Sequence, residues 1–122
     1  MQGSFLRFYV QESHRVRGRP VWEWLLEQAN ALGIRGGSAF KAMAGFGHHH
    51  RLHESKFFEL AGSGAVEVEF VVNDAEAAQL LARLEEADIR LFHARIPATF
   101  SVMHPDRDDP PAAGDGPRDD EP

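Results

Sequence analysis

Cysteine is absent from the 122-residue chain, so disulfide bonds and thiolate chemistry are excluded. The sequence also lacks any apolar run approaching the roughly 20 residues that span a bilayer. Its start, MQGSFLRFYV, does not place an apolar run after a basic segment, as an export signal would. A hydrophobic content of 43% and a charged content of 26% are ordinary for one globular domain. We therefore expect a cytoplasmic protein with a single core.

Apolar side chains are also scarce at the C-terminus, where HPDRDDPPAAGDGPRDDEP holds no Val, Ile, Leu or aromatic residue. This segment has seven acidic residues against two arginines, which accounts for −5 of the net charge of −6. It buries too little apolar surface to offset the entropy of ordering. We expect a folded domain over residues 1–103 and a disordered, acidic, proline-rich tail over residues 104–122. The nearly neutral domain lacks the basic surface that nucleic acid requires, so no nucleic-acid partner is expected.

Hydrophobic periodicity predicts six secondary-structure elements in the domain. Alternating residues indicate a strand over 4–11 and another over 65–72. Helical spacing follows Pro20 and stops at Gly33, which suits a C-cap. A second helix follows Asn73 or Asp74 as its N-cap. The remaining strands are predicted over 38–46 and 89–102, with Pro97 favouring either an edge position for the last one or a bulge there.

The order β-α-β-β-α-β predicts an α+β fold, the ferredoxin-like plait, with both helices on one face of an antiparallel sheet. We expect the other face to be open and to carry mixed charge, which can face water or pair across an oligomer interface. The side chains expected there are Arg7, Tyr9, Lys41, Glu67 and Glu69, with His93 and Arg95 or their neighbours on the last strand.

Two glycine clusters flank the third predicted element, at Gly36–Gly37 and at Gly45 and Gly47. Glycines let backbone N–H groups approach an anion without a Cβ in the way. Arg35, Lys41, Arg51 and Lys56 are close enough in sequence to supply positive charge. The alternative is that these glycines serve only turns and bulges.

The segment GFGHHHRLHES, residues 45–55, concentrates imidazoles after the second glycine cluster. Neutral imidazoles bind zinc, copper or nickel, so the candidate metal ligands are His49, His50 and His53. The spacing matches no standard closed site, and the alternatives are a solvated loop or one whose charge changes near pH 6.5.

Catalytic residues are not predicted, because no serine is set in a recognisable motif with a histidine and an acid. Glu67 and Glu69 are about 7 Å apart along one strand face, but an ion-paired face explains them more simply than acid–base catalysis. We therefore expect a protein that is not an enzyme.

Residues 33–47, GIRGGSAFKAMAGFG, resemble the PII signalling proteins, whose corresponding strand also ends in Gly-Phe-Gly. Over residues 4–102 the chain looks closer still to the PII-like domain-of-unknown-function family 190. The resemblance implies a homotrimer whose open sheet faces turn toward the three-fold axis, with small ligands, often adenine nucleotides, bound in clefts between subunits. The ligand-binding residues it implies are Gly36, Gly37, Ser38, Gly45, Phe46 and Gly47, to which His48 and Arg51 of the following loop are added.

The expected function is therefore a PII-like sensor that binds a small anionic ligand and signals through the loop of residues 46–57 to a partner protein or transporter. Tyr9 is the only tyrosine, so the modifiable tyrosine of the PII loop has no counterpart, and nitrogen signalling is not implied. One alternative is a divalent-metal-binding trimer of the cation-tolerance type, with the histidine cluster as its site. Another is an enzyme with an active site between subunits.

Overall fold

The computed structural model describes residues 1–46, 53–54 and 64–110 of the chain. Within these ranges, no helix is both long enough and apolar enough to cross a membrane. The helices are α1 (Val21–Ala31) and α2 (Asp74–Glu85). The strands are β1 (Gln2–Gln11), β2 (Arg15–Val16), β3 (Arg19–Pro20), β4 (Gly37–Lys41), β5 (Ala44–Gly45), β6 (His53–Glu54), β7 (Ala65–Asn73) and β8 (Phe92–Thr99).

In the described residues, the main sheet has the order β4-β7-β1-β8, and every pair of neighbouring strands in it is antiparallel. The long strands β1 and β7 lie at its centre, and β4 and β8 form its edges. Together with α1 and α2, this order confirms the predicted α+β ferredoxin-like plait. Pro97 lies on the edge strand β8, as its missing backbone N–H predicted.

The core lies between the two helices and one face of the sheet. Alternate residues of β1 and β7 point into it, because successive side chains of a strand lie on opposite faces. They meet the buried stripes of α1 and α2 in one hydrophobic cluster. The fully buried side chains include Leu6, Phe8, Val68, Phe70, Val72, Val21, Leu25 and Leu80. The edge of the Phe8 ring meets the Phe70 ring at a centroid separation of 6.1 Å, which ties the two central strands together.

The end of α1 and the start of α2 lie where the sequence predicted them. Gly33 follows α1 with φ of 79°, and the N–H of Ile34 donates to the carbonyl of Ala29. Asn73 caps α2: its side chain accepts from the N–H of Glu76, while the Glu76 carboxylate accepts from the N–H of Asn73. This reciprocal capping box fixes the point where β7 turns into α2.

Several sequence-based predictions differ from the structure. The strand predicted over 38–46 is divided into β4 and β5, and the last strand is shorter than predicted. Lys41 pairs with Val66 and therefore points to the helix side of the sheet, where its Nζ lies 3.4 Å from Oε2 of Glu12. The prediction that Lys41 lies on the open face was therefore wrong. His93 and Arg95 also point to the helix side, since they lie opposite Phe8 and Leu6.

The hairpin formed by β2 and β3 was not predicted at all. Its two-residue connection has positive φ at Arg17 and Gly18, which is the geometry of a type I′ turn. The dipeptide Arg-Gly is a weaker signal for this turn than Asn-Gly, and each strand has only two residues.

Candidate functional site

The face of the sheet opposite the helices carries large apolar side chains at its solvent surface. Cross-strand pairing places Phe5, Tyr9, Phe40, Val71, Phe92 and Ile96 there. Phe92 is 65% exposed, Phe40 is 52% exposed and Tyr9 is 44% exposed. The Tyr9 and Phe92 rings pack together with their centroids 5.7 Å apart. A sheet face that simply met water would carry polar side chains at these positions.

An ion cluster occupies the middle of this open face. Nε of Arg7 on β1 lies 3.4 Å from Oε1 of Glu67 and 3.3 Å from Oε2 of Glu69, both on β7. This nitrogen is shielded from solvent and forms ion pairs without well-aligned hydrogen bonds. The Arg7 guanidinium also lies 5.4 Å from the centre of the Phe5 ring, a cation–π contact. One positive group thus serves two carboxylates, and the cluster has a net charge of about −1.

The environment of this cluster alters the titration of one carboxyl. Partial burial raises the pKa of Glu67 above its ordinary value, and the hydrogen bond and negative charge of Glu69 raise it further. The nearby guanidinium of Arg7 opposes these effects without cancelling them. The environment of Glu67 therefore favours its protonated form.

A cleft of about 340 Å³ opens between α1 and the start of β4. Its lining includes the backbone of Gly36 and Gly37, the aliphatic side chains of Leu26 and Ile34, and the charged side chains of Glu23, Glu27 and Arg35. Gly36 and Gly37 differ in the space that a side chain would have at each position. A Cβ at Gly36 would meet nothing within 4 Å, whereas a Cβ at Gly37 would lie 2.4 Å from the ring of Phe70. Gly37 is therefore required by packing, and Gly36 is not.

One carboxylate in the cleft has an unused acceptor. Glu27 pairs through Oε2 with Nη1 of Arg19 on β3, while its Oε1 is shielded from solvent and has no partner among the described residues. A buried carboxylate oxygen without a donor is costly, so it favours a bound group that offers an N–H or O–H. The cleft thus combines a cation, an acceptor and unobstructed backbone.

A second cleft, of about 580 Å³, lies at the opposite edge of the sheet, between β8 and the start of α2. Nε of Arg95 donates to the buried Oγ of Ser4 at 3.1 Å, and its Nη2 lies 3.3 Å from Oδ1 of Asp74. Both guanidinium contacts are made within the protein. This geometry is that of a positioned structural arginine.

The structure describes some of the predicted ligand-binding residues. Gly36 lies at the cleft and Gly37 and Ser38 begin β4, while Gly45 ends β5 and Phe46 is exposed beyond it. Pairing of β5 with β6 brings Gly45 opposite His53. The predicted residues Gly47, His48, His49, His50 and Arg51 lie outside the described residues, as does the side chain of His53. Among the residues that are described, no three acidic or histidine side chains are grouped to hold a metal ion.

Sequence reasoning did not identify Glu27 or the aromatic residues of β8 as parts of a site. Glu27 gave no signal, because a glutamate on an amphipathic helix normally faces water. Phe92 and Ile96 alternate with His93 and Arg95, so which set faced the helices depended on a strand register that the sequence did not determine.

The antiparallel order β4-β7-β1-β8, with α1 and α2 against one face of the sheet, places the protein in the ferredoxin-like class. The model of the family DUF190, described as uncharacterized ACR, matches residues 3–90, and the chain belongs to this family. A UPF0166 protein from Aquifex aeolicus (strain VF5) is 30% identical over 82 residues, which cover 67% of this chain and 78% of that protein.

Proposed function

We propose that this protein is a non-enzymatic, cytoplasmic, PII-like sensor. It assembles as a homotrimer, binds a small anionic ligand, an adenine nucleotide, in clefts between its subunits, and signals through residues 46–57 to a partner protein or transporter. The observation that carries the proposal is the cleft beside Gly36, which joins free backbone, a cation and an unsatisfied acceptor.

The open face supports assembly. Contiguous exposed apolar residues on a small protein mark a surface that another molecule covers. Phe40, Tyr9 and Phe92 extend across the sheet from one edge strand to the other. A second and third copy of the same chain supply a surface of the same size and chemistry. The open faces then meet one another, while the helices remain outside.

The chemistry of the cleft supports a nucleotide. The exposed Arg35 offers a charged donor for a phosphate, and the backbone at Gly36 admits close approach. Glu27 lines the cleft, and its carboxylate is an acceptor for a ribose hydroxyl or a base amino group. Leu26 and Ile34 add apolar surface for a base. A ligand that has an anion, hydroxyl or amino donors, and an aromatic base satisfies all of these groups.

The described segments on either side of residues 47–52 support a signalling role. Strand β4, which contains Ser38 and Phe40, begins at the cleft. The strands β5 and β6 lie on either side of residues 46–52 in the chain and pair with each other. A ligand that contacts both β4 and the loop shifts the loop toward one state by its difference in affinity for the two states. The partner then recognises that state.

The test is calorimetry and thermal unfolding of the full chain with ATP, ADP and AMP, together with sedimentation at the same protein concentration. Nucleotide at a hundredfold excess over Kd should stabilise the wild type by about 2.7 kcal/mol. Gly36→Ala should leave the unliganded stability unchanged and lower the affinity at least tenfold, because the new methyl group fills only the cleft. Arg35→Ala should lower affinity similarly, whereas Arg83→Ala, on the exposed side of α2, should not.

Two results would reject the proposed ligand site, and a third would reject the proposed assembly. The first is a melting temperature that no adenine nucleotide raises at millimolar concentration. The second is a Gly36→Ala variant that binds as well as the wild type, which would place the ligand away from this cleft. A protomer mass by sedimentation would reject the homotrimer and any cleft between subunits.

A further inference from the structure

We propose that the cluster of Arg7, Glu67 and Glu69 binds one proton per subunit when the open faces meet, so that acidic pH tightens the assembly. This inference rests on the proposed homotrimer and assigns a regulatory role to the centre of its interface. It follows from the position of the cluster and from the count of its charges.

The cluster is electrostatically isolated on its face. Glu67 lies between Tyr9 on β1 and Phe40 on β4, and Glu69 lies between Arg7 and Ser38. Beyond Arg7, the facing residue on β8 is Ala94. Among the described residues of the four strands, Tyr9 is the only other ionisable side chain on the open face. One guanidinium therefore balances only one of two carboxylates.

The surroundings make this excess charge unfavourable in an assembly. Phe5, Tyr9, Phe40 and Phe92 flank the cluster, so covering the face removes water from around it. Desolvation disfavours a carboxylate that lacks its own cation. In the assembly, the excess charge of each subunit also faces that of the other copies. One proton per subunit removes the excess charge and lets Glu67 donate a hydrogen bond to the Glu69 carboxylate.

The direction of the pH effect follows from these changes. The pKa of Glu67 is already raised in the single subunit, and further desolvation raises it again in the assembly. A group whose pKa is higher in the assembly favours assembly at pH values below its pKa in the free subunit. That contribution is lost as the pH rises through the pKa in the assembly. The association constant should therefore fall by up to about tenfold per pH unit for each proton released. A trimer that releases three protons should lose up to about a thousandfold per pH unit.

The experiment is sedimentation equilibrium of the full chain from pH 4.5 to 8 at constant ionic strength. The wild-type association constant should fall with rising pH. In Glu67→Gln, the amide replaces the protonated carboxyl and donates to Glu69, so assembly should persist at high pH with a slope smaller by one proton per subunit. Glu85→Gln is the matched control, because it makes the same change at an exposed position on α2 and should keep the wild-type slope. All seven histidines are present in the wild type and in both variants, so their contribution to the slope cancels in the comparison.

A second measurement reports the proton directly. The carbon-13 shift of the Glu67 carboxyl should titrate at higher pH in the assembly than in the diluted protomer. An oligomer whose association constant does not change with pH, or a Glu67→Gln variant with the wild-type slope, would overturn the inference and leave the proposed homotrimer intact. A protomer mass at every pH would reject the homotrimer, and this inference with it.

Discussion

Replacing Gly37 by alanine tests whether packing alone requires this glycine. Its ideal Cβ would lie 2.4 and 2.5 Å from two carbons of the Phe70 ring and 3.2 Å from a methyl carbon of Leu26. Carbon atoms in contact are normally about 3.5–4.0 Å apart, so the ring must move by roughly 1 Å. Phe70 is 1% exposed and packs against Phe8, so the ring cannot move without disturbing the core.

Two opposing effects determine the unfolding free energy that the Gly37→Ala substitution removes. Overpacking of a core costs about 1–3 kcal/mol, and replacing a glycine by alanine returns about 0.4–1 kcal/mol by restricting the unfolded chain. The Gly37→Ala variant should therefore lose about 1–2 kcal/mol of unfolding free energy. For a domain of this size, that is a fall of roughly 4–8 °C in melting temperature.

Urea denaturation of Gly37→Ala and Gly36→Ala at one protein concentration provides the measurement and its control. The two positions are adjacent, neither has a positive φ, and only Gly37 faces Phe70. Gly36→Ala should match or slightly exceed the wild type in stability. Equal stability of both variants would show that the Phe70 ring yields easily, and the steric argument for Gly37 would be wrong.

Two further substitutions test the close packing of β1 against β7 and the N-terminus of α2. Gly3→Ala should destabilise the protein more than Gly37→Ala, because the new Cβ would lie 1.9 Å from the carbonyl oxygen of Val72, and backbone cannot move aside as a side chain can. Chemical denaturation of both variants measures the two losses. A smaller loss of unfolding free energy in Gly3→Ala than in Gly37→Ala would refute this prediction. Asn73→Ala removes the capping box of α2 and should lower the unfolding free energy by about 1 kcal/mol. Asn73→Ser keeps a capping side chain and should retain most of the stability. Equal losses in the two variants would contradict the capping argument.

The sequence predicted most reliably where one local pattern had one structural solution. Val66, Val68 and Phe70 alternate with Glu67 and Glu69, and only one face of such a strand can be buried. Asn73 followed by Glu76 gave the start of α2, and Gly33 gave the end of α1. These signals are complete within a few residues of chain, so they needed no tertiary information.

Prediction failed where two locally acceptable arrangements competed. In the second predicted strand, over 38–46, either Phe40 or Lys41 could face the core, and the sequence analysis placed Lys41 on the open face. Pairing with β7 reverses this, because Gly37 has to sit against the ring of Phe70 and the alternation then turns Lys41 toward the helices. The lysine is accommodated there because β4 is an edge strand, where its ammonium reaches Glu12. Such a choice depends on a residue 33 positions away and is invisible locally.

The composition of the open face favours contact with other copies over exposure to water. The helix-covered face of β1 and β7 is apolar apart from the buried Ser4 and the exposed Gln2 at its end, as a protein interior requires. A solvated face would be polar, yet Phe40, Phe92 and Tyr9 remain exposed on the open side around a single arginine with two carboxylates. Protein interfaces share this character, because their centres are enriched in aromatic residues and arginine and hold few charges. The few charges retained there fix the register of the partners more than the strength of binding. A cluster that is one proton short of neutrality can therefore set both how the copies align and the pH at which they meet.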